Sequence, residues 1–472
     1  MSRQLQPAQA TEHSTQSAVG VTDGVFWIYL YFLVDFFLHL SARIPGYGVI
    51  RPTLLLVALI AGLLFVQRES LKGKIRDPIF QAVLVLLGYM VLSWPLVEYQ
   101  GSVIRHNLPE FIKAIVFLFF TALIIDSRGR LVLFLWVFVG CQVIRVLEPL
   151  YLNLTEGYWG SATHLGGGEF ADRLAGAPTD VINSNELGFV IATAAPFLHY
   201  LLFTGRWYAK LLYLILVPCL LYAMILTMSR GAFIALLVIG WMIFKESSHK
   251  FLLILLAIGI GVAGWSVMDP VQKDRYMSLV SSNTAGSATA QGRLGGILAE
   301  FKLGMTRPVV GHGVGTTPEV KANTWGSTQA SHNMYGELLI EIGVIGFVLF
   351  LRFIVKIYQQ FRRNQQLLRE LMTSESANRF YWNLNRALIA LFWMYAVYSL
   401  NYWGLSQYYW YLFGGLAIAF GQIVSREVSN EEVADPISVP ETAKYPLAWQ
   451  AKNRIGNRLE KSKCLSSNSI RY

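Results

Sequence analysis

The sequence predicts an all-α polytopic membrane protein with about twelve transmembrane helices, and three observations support this. Of the 472 residues, 54% are hydrophobic and only 14% are charged, whereas a soluble protein carries about a quarter charged residues. The apolar residues lie in long blocks, and a membrane crossing needs about 20 of them. Basic residues concentrate in alternate loops, which is typical of the cytoplasmic side and explains the net charge of +10 without nucleic acid.

The apolar blocks predict twelve spans, which divide the chain into three parts. Residues 1–24 and 425–472 are polar and lack hydrophobic periodicity, so we expect disordered cytoplasmic tails. Residues 25–424 form the transmembrane domain. Its predicted spans are 25–41, 48–66, 79–97, 108–126, 130–152, 185–203, 208–228, 231–244, 250–268, 333–355, 386–402 and 408–424.

The charge of the loops predicts the orientation of these spans. With the N-terminus in the cytoplasm, every predicted inside loop between spans is rich in Lys or Arg: 67–78, 126–130, 204–210, 245–250 and 356–386. Two long segments, at about 153–184 and 269–332, then lie outside.

Arg230 is the only charged residue in the 34-residue apolar run from Leu211 to Phe244. At 1.5 Å per residue such a run spans about 51 Å, too long for one crossing and barely enough for two. Two crossings that turn at Ser229-Arg230-Gly231 keep every basic loop inside and place Arg230 at the outer face. Arg230 either reaches lipid headgroups or forms an anion site, and the cost of arginine in apolar surroundings favours the anion site.

The larger outside segment contains a predicted amphipathic helix at 293–305. Its apolar stripe predicts contact with the membrane surface or with the bundle; the stripe comprises Leu294, Ile297, Leu298 and Phe301. Arg293 is expected to open this helix and to make its N-terminal end strongly positive, which suits a phosphate. A solvated surface arginine is the alternative.

The stretch GHGVG (311–315) follows this helix and includes His312. It is not a P-loop, because no Gly-Lys-Ser/Thr follows. Its glycines either make a turn or allow close approach of the backbone to a ligand.

His332 lies where the chain returns to the membrane, with Ser331 as the predicted helix cap. Its imidazole either takes a proton near physiological pH or is simply an interfacial side chain. Glu337 and Glu341 follow one turn apart on one helix face, where they either pair with arginines or orient a polar network.

The shorter outside segment ends with Arg173 and Asn185, which alone predict only a polar turn and a helix cap. Together with Arg230, Arg293 and His332 they place several cations and one histidine on one side of the membrane. Such a set suits a substrate with phosphates and a proton to remove. Further positive charge there comes from Lys273, Arg275 and Arg307. The cysteines, Cys141, Cys219 and Cys464, are too few for a disulfide framework and have no metal-ligand spacing, so we expect no disulfide and no metal site. We also expect no cofactor.

The pattern resembles the O-antigen ligase and polymerase superfamily of bacterial envelope glycosyltransferases. Four pieces match in order: RLAGAPTDVINSNELG (173–188), LTMSRGA (226–232), GRL with RPVVGHGVG (292–294 and 307–315), and HNMYGELLIEIGVIG (332–346). In the first piece the family usually has Pro-Asn or a similar pair, where this chain has Ser184-Asn185.

The resemblance implies polysaccharide biosynthesis at the bacterial inner membrane, with the active site facing the periplasm. A glycan would move from a polyprenyl-diphosphate carrier to a hydroxyl of a lipid or protein acceptor, such as lipopolysaccharide core, without metal or nucleotide sugar. It implies that Arg230 and Arg293 bind the diphosphate and that His332 acts as general base on the acceptor hydroxyl or otherwise activates it. Other residues of the four matching pieces are expected to support the site: Arg173, Asn185, Ser229, Asn333, Glu337, Glu341 and His312.

Two alternatives lie within the same superfamily. One is a polymerase that joins polysaccharide repeat units, and the other is a protein O-glycosylation ligase; the motifs are shared among all three. A transporter for a lipid or anionic solute fits less well, because the sequence shows no inverted repeat and its polar groups gather in an outside loop.

Overall fold

The computed structural model describes residues 20–71, 73–166, 169–277, 287–328, 331–371, 376–402 and 404–434. The chain divides into one compact unit, residues 1–424, and a second unit, residues 425–472. Most of both predicted tails lies outside the described residues. Residues 425–434 are helical, so the last helix continues ten residues beyond the boundary predicted at 424.

The described chain is helical apart from one β-hairpin and its loops. The hairpin is antiparallel and consists of β1 (Gly160–Gly166) and β2 (Glu169–Leu174). Short 3₁₀ and π segments extend or join several helices. The α-helices are α1 (Asp23–Leu38), α2 (Leu40–Arg43), α3 (Pro52–Val66), α4 (Pro78–Ser93), α5 (Gln100–Ser102), α6 (Leu108–Ile124), α7 (Arg128–Glu156), α8 (Ser184–Phe197), α9 (Trp207–Thr227), α10 (Arg230–Glu246), α11 (Lys250–Val267), α12 (Pro270–Met277), α13 (Ser287–Gly304), α14 (Thr317–Trp325), α15 (Met334–Leu371), α16 (Ser376–Tyr398) and α17 (Tyr408–Ala434).

Each of the twelve predicted spans coincides with one of the longer helices, so the all-α, membrane-type architecture is confirmed. Within the described residues, six helical segments are long and apolar enough to cross a membrane, and α3 is apolar but shorter. The number of crossings, twelve, therefore stays a prediction. The six segments are Pro78–Leu96, Gln100–Ile124, Arg128–Glu156, Trp207–Thr227, Lys250–Val267 and Met334–Arg369.

The centre of the bundle is aromatic. Tyr395 on α16 and Tyr409, Trp410 and Tyr411 on α17 are almost completely buried. The rings of Tyr395, Tyr409 and Trp410 contact one another edge-on or tilted. In contrast, none of the residues of α11 is buried. A helix that exposes apolar side chains all round suits a lipid environment, where its backbone groups are satisfied within the helix.

Helix α15 is broken at Gly343, whose φ of 64° and ψ of −174° are not helical. The glycine-rich loop 311–315 packs against this break. The His312 amide donates to the Ile340 carbonyl (2.8 Å) and the Gly313 amide to the Glu341 carbonyl (2.9 Å). A Cβ on Gly311 would lie 2.5 Å from the Glu341 carbonyl oxygen. The glycines of this loop therefore allow a close approach of backbone to backbone, which satisfies carbonyls that the break leaves without helical partners.

Replacing Gly343 by alanine should destabilise the protein by about 1–3 kcal/mol, because its backbone conformation is one that only glycine adopts readily. The new Cβ would also lie 2.5 Å from the Val309 carbonyl oxygen. Thermal unfolding in detergent, followed by intrinsic fluorescence, measures the effect. Gly240→Ala is the matched control, since a Cβ there meets nothing within 4 Å. Equal midpoints for both variants would contradict this account of the break.

Candidate functional site

The turn between α9 and α10 contains the Ser229-Arg230-Gly231 sequence. The predicted turn at this point is confirmed, since α9 ends at Thr227 and α10 begins at Arg230. Met228 adopts a left-handed conformation with φ of 47°. The Ser229 hydroxyl caps α10 by accepting the Ala232 amide at 3.4 Å. A new helix begins here because the Ser229 hydroxyl satisfies an amide in its first turn.

Two arginines, one on β2 and one on α12, donate hydrogen bonds to carbonyls at the end of α9. Arg173, at the end of β2, donates from Nε to the Thr227 carbonyl at 2.8 Å. Arg275, on α12, donates from Nε to the Met228 carbonyl at 2.9 Å. Carbonyls at a helix C-terminus carry partial negative charge, so guanidinium groups stabilise them. Arg173, Arg230 and Arg275 are all buried, and together they concentrate positive charge at residues 227–230.

The start of α8 lies against the same turn. Asn183 caps α8 in a capping box with Glu186, so Asn185 is the second residue of the helix and not its cap. The Asn185 side chain accepts Arg173 Nη2 at 2.9 Å. A Cβ on Gly188 would lie 2.5 Å from the Ala232 Cβ, so the absence of a side chain there lets α8 approach the first turn of α10.

The C-terminal end of α16 connects three helix starts. A Cβ on Gly231, in the first turn of α10, would lie 3.4 Å from the Asn401 Cβ. The starts of α8 and α15 are joined to the segment 396–401 by hydrogen bonds: Tyr398 Oη to the Asn185 carbonyl (2.7 Å), Tyr335 Oη to the Ala396 carbonyl (2.9 Å) and the Met334 amide to the Ser399 carbonyl (2.9 Å). The segments that carry Asn185, Arg230 and His332 therefore meet around one helix end.

His332 is exposed and lies two residues before α15, which begins at Met334. The prediction that Ser331 caps the helix directly is wrong. Asn333 is the capping residue, because its side-chain oxygen accepts the Tyr335 amide at 3.2 Å. The Ser331 hydroxyl accepts the Asn333 amide at 3.1 Å. The imidazole is thus carried on a short, hydrogen-bonded segment, where its exposure leaves it accessible.

Glu337 and Glu341 are buried and orient a polar network, which was one of the two predicted alternatives. Glu337 Oε2 accepts the Gly404 amide at 2.7 Å. Glu341 Oε2 accepts the Gly315 amide at 2.7 Å, and its Oε1 accepts the Thr317 hydroxyl at 2.8 Å. Within the described part of the chain neither carboxylate contacts an arginine. Both fix loops next to α15.

His312 is buried in the junction between the glycine-rich loop and α15. One ring nitrogen, Nδ1, contacts the Glu98 carboxylate, and the other, Nε2, lies 3.0 Å from the Thr306 hydroxyl. Both ring nitrogens therefore have polar partners within the protein, and His312 has a structural role in this junction.

Arg293 is the seventh residue of α13, which begins at Ser287. The prediction that Arg293 opens this helix is wrong, so the argument from a positive helix end does not apply to it. The helix itself is confirmed, but it starts earlier because the small and polar residues before Arg293 are helical as well. The side chain of Arg293 lies outside the described part of the chain. A Cβ on Gly304 would lie 2.9 Å from the Leu339 Cβ, so α13 packs on α15.

Sequence reasoning missed the anchor of the loop that follows Arg173. Asp180 is buried and accepts Arg145 Nε at 2.7 Å and Arg145 Nη2 at 3.0 Å, and His39 Nδ1 lies 3.1 Å from it. Burial raises the pKa of Asp180, but the hydrogen bonds and charges of His39 and Arg145 outweigh burial and lower it. An arginine inside the predicted span 130–152 was the signal that could have revealed this pair.

These features define a class of protein: a polytopic helical membrane protein with a cluster of arginines where helices begin and end. Residues 214–351 match the family model described as O-antigen ligase. The match confirms, for this segment, the resemblance predicted from the sequence. Comparison with curated proteins gives no match.

The matched segment includes Arg230, Arg293 and His332 but not Arg173 or Asn185. Among the described residues, no group of three or more His, Cys, Asp or Glu side chains could hold a metal ion.

Asp180→Asn should destabilise the protein by about 3–5 kcal/mol at neutral pH, because it leaves Arg145 buried without its carboxylate. The pKa of Asp180 is lower in the folded state, so the stabilisation is complete above the pKa of the unfolded chain and is lost as the pH falls through the folded value. We expect the difference in unfolding free energy between wild type and Asp180→Asn to be constant near neutral pH and to become smaller in acid. Asp172→Asn, at an exposed position nearby, is the control. A difference that grows in acid would overturn the assignment.

Proposed function

We propose that this protein is a glycosyltransferase that moves a glycan from a polyprenyl-diphosphate carrier to an acceptor hydroxyl at the periplasmic face of a bacterial inner membrane. The observation that carries the proposal is the gathering of Arg173, Arg230 and Arg275 at one buried turn. The same end of α16 joins that turn to the segment bearing His332. The match to the O-antigen ligase family supports the class of reaction.

The diphosphate would bind at the start of α10. Arg230 is the first residue of that helix, so its guanidinium adds to the positive end of the helix dipole. Arginine presents a planar fork that pairs with two phosphate oxygens at once. On the basis of the family motif, we assign Arg293 as the second residue that binds the diphosphate. As the bond between the anomeric carbon and the diphosphate breaks, negative charge grows on the leaving group, and fixed guanidinium groups stabilise that charge.

The acceptor hydroxyl would approach His332. A neutral imidazole removes the hydroxyl proton as the oxygen attacks the anomeric carbon, and the proton then resides on the imidazole. The exposure of His332 suits a macromolecular acceptor that arrives from outside. The isoprenoid tail of the donor would remain among the apolar helices, so only its diphosphate needs to meet the arginines.

Three functions are possible within the superfamily, and they differ in the acceptor of the glycan. Polymer of reduced length in a deletion strain would identify a polymerase, and unattached polymer of full length would identify a ligase for a lipid acceptor. A missing protein glycan would identify a protein O-glycosylation ligase. Transport of the lipid in vesicles without any glycosidic bond would instead favour a transporter.

Arg230→Ala should lower kcat by about 10²–10³-fold, because it removes a fixed charge from the leaving group. His332→Ala should lower kcat by about 10²–10⁴-fold, because it removes the base. Purified protein with a lipid-linked oligosaccharide and an acceptor gives both values. The controls are Arg206→Ala and His249→Ala, at exposed positions in the predicted inside loops. Folded, inserted variants with wild-type turnover would refute the assigned roles.

Transfer should persist when a chelator removes divalent cations, because guanidinium groups in place of a metal neutralise the diphosphate. The measurement is the initial rate of glycan transfer with and without excess chelator. A rate that falls with chelator and returns with one divalent ion would show that the arginines do not suffice.

A further inference from the structure

Glu300, on α13, is a buried carboxylate that joins three segments of the chain. Its Oε1 accepts Lys321 Nζ of α14 at 2.5 Å, and its Oε2 accepts the Ser331 hydroxyl at 2.8 Å. Glu300, Lys321 and Ser331 are each less than 10% exposed. An ionised group is costly to bury unless its partners are close, so this arrangement fixes α13, α14 and the segment 331–333 relative to one another.

The packing of α13 on α15 leaves room for this carboxylate. A Cβ on Gly336, in the first turn of α15, would lie 2.9 Å from Glu300 Oε2. Any side chain at position 336 would therefore push against the carboxylate that Ser331 contacts. The glycine allows α13 to lie close to the start of α15.

The hydrogen bonds continue from Glu300 to both sides of His332. The Ser331 hydroxyl lies within donating distance of two acceptors, Glu300 Oε2 at 2.8 Å and the Asn333 carbonyl at 2.9 Å, and it accepts the Asn333 amide at 3.1 Å. Asn333 in turn caps α15 through the Tyr335 amide at 3.2 Å. The backbone immediately before and after His332 is therefore tied, through one hydroxyl, to a side chain of α13.

Helix α13 also contains Arg293, seven residues before Glu300. At 1.5 Å per residue the two positions are about 10 Å apart along the helix axis, on the same side of it. One rigid helix thus carries both a proposed diphosphate ligand and the group that holds the segment of the proposed base.

We infer that Glu300 is a positioning residue, which sets the place of His332 relative to the donor site by holding Ser331 from the helix that bears Arg293. This inference rests on the proposed transferase function. It predicts a loss in turnover rather than in donor binding, because Glu300 acts through the segment 331–333. A displacement of about 1 Å in a reacting group can cost about 10²-fold in rate.

Three variants separate positioning from simple stability. Ser331→Ala removes the link to the His332 segment but keeps the ion pair. Glu300→Gln combined with Lys321→Met removes both buried charges but keeps an amide oxygen that accepts the Ser331 hydroxyl. Lys302→Met is the matched control, since it removes an exposed charge two residues from Glu300 on the same helix.

The experiment measures kcat and KM for a lipid-linked oligosaccharide with purified full-length protein, together with hydrogen–deuterium exchange by mass spectrometry. We expect Ser331→Ala to lower kcat by up to about 10²-fold with KM for the donor unchanged. We expect the double variant and Lys302→Met to keep turnover near wild type. Amides of residues 331–337 should exchange faster in Ser331→Ala alone, while exchange in α13 stays as in wild type.

Wild-type turnover in Ser331→Ala would overturn the inference. So would equal losses in Ser331→Ala and the double variant with faster exchange throughout α13, because that pattern describes a stability effect. If wild-type protein transfers no glycan while the exchange pattern is as expected, the proposed function fails but the link from Glu300 to the segment 331–333 stands. Unchanged exchange in Ser331→Ala would refute that link whatever the activity.

Discussion

A helix that ends inside apolar surroundings leaves carbonyl groups that must find partners, and the turn at residues 227–230 depends on this constraint. Arg173 and Arg275 donate to the last carbonyls of α9, while Ser229 caps the first turn of α10. The two arginines come from distant parts of the sequence, so the hairpin loop and α12 are both drawn to the turn. Local satisfaction of the backbone thereby concentrates positive charge where Arg230 also lies.

The break in α15 at Gly343 meets the same constraint in another way. There the partners are backbone amides of the glycine-rich loop, and the neighbouring carboxylate, Glu341, also accepts a loop amide. The carbonyls at this break are therefore satisfied by uncharged backbone amides and not by guanidinium groups. The two breaks explain why Ser-Arg-Gly and Gly-His-Gly are assigned different roles. At Ser-Arg-Gly, guanidinium groups lie at the turn. At Gly-His-Gly, the main chain of the loop packs into the break in α15.

Much of the helix layout was predictable because apolar blocks of about 20 residues and basic loops are local features. The turn at Arg230 followed from the length of the apolar run together with the charge of the flanking loops. The start of α13 was not predicted correctly, because small and polar residues before Arg293 give no periodic signal, and a helix that packs on α15 does not need one. The Arg145–Asp180 pair and the bond from Glu300 to Ser331 join residues 35 and 31 positions apart. Such pairings depend on how the helices pack, which a single sequence does not encode in any local pattern.

The matched family segment, residues 214–351, contains both helix breaks but neither α8 nor α16. Yet the end of α16 contacts the starts of α8, α10 and α15. Tyr398 of α16 donates to α8, Gly231 of α10 packs against the end of α16, and Tyr335 of α15 donates to α16. Helices α8 and α10 also pack on each other directly at Gly188 and Ala232, but the end of α16 contacts all three helix starts. The arginine-bearing turn and the histidine-bearing segment therefore owe their proximity to chain outside the matched segment. The matched segment contains the groups that are proposed to react, whereas the contacts that bring their segments together involve helices of the whole bundle.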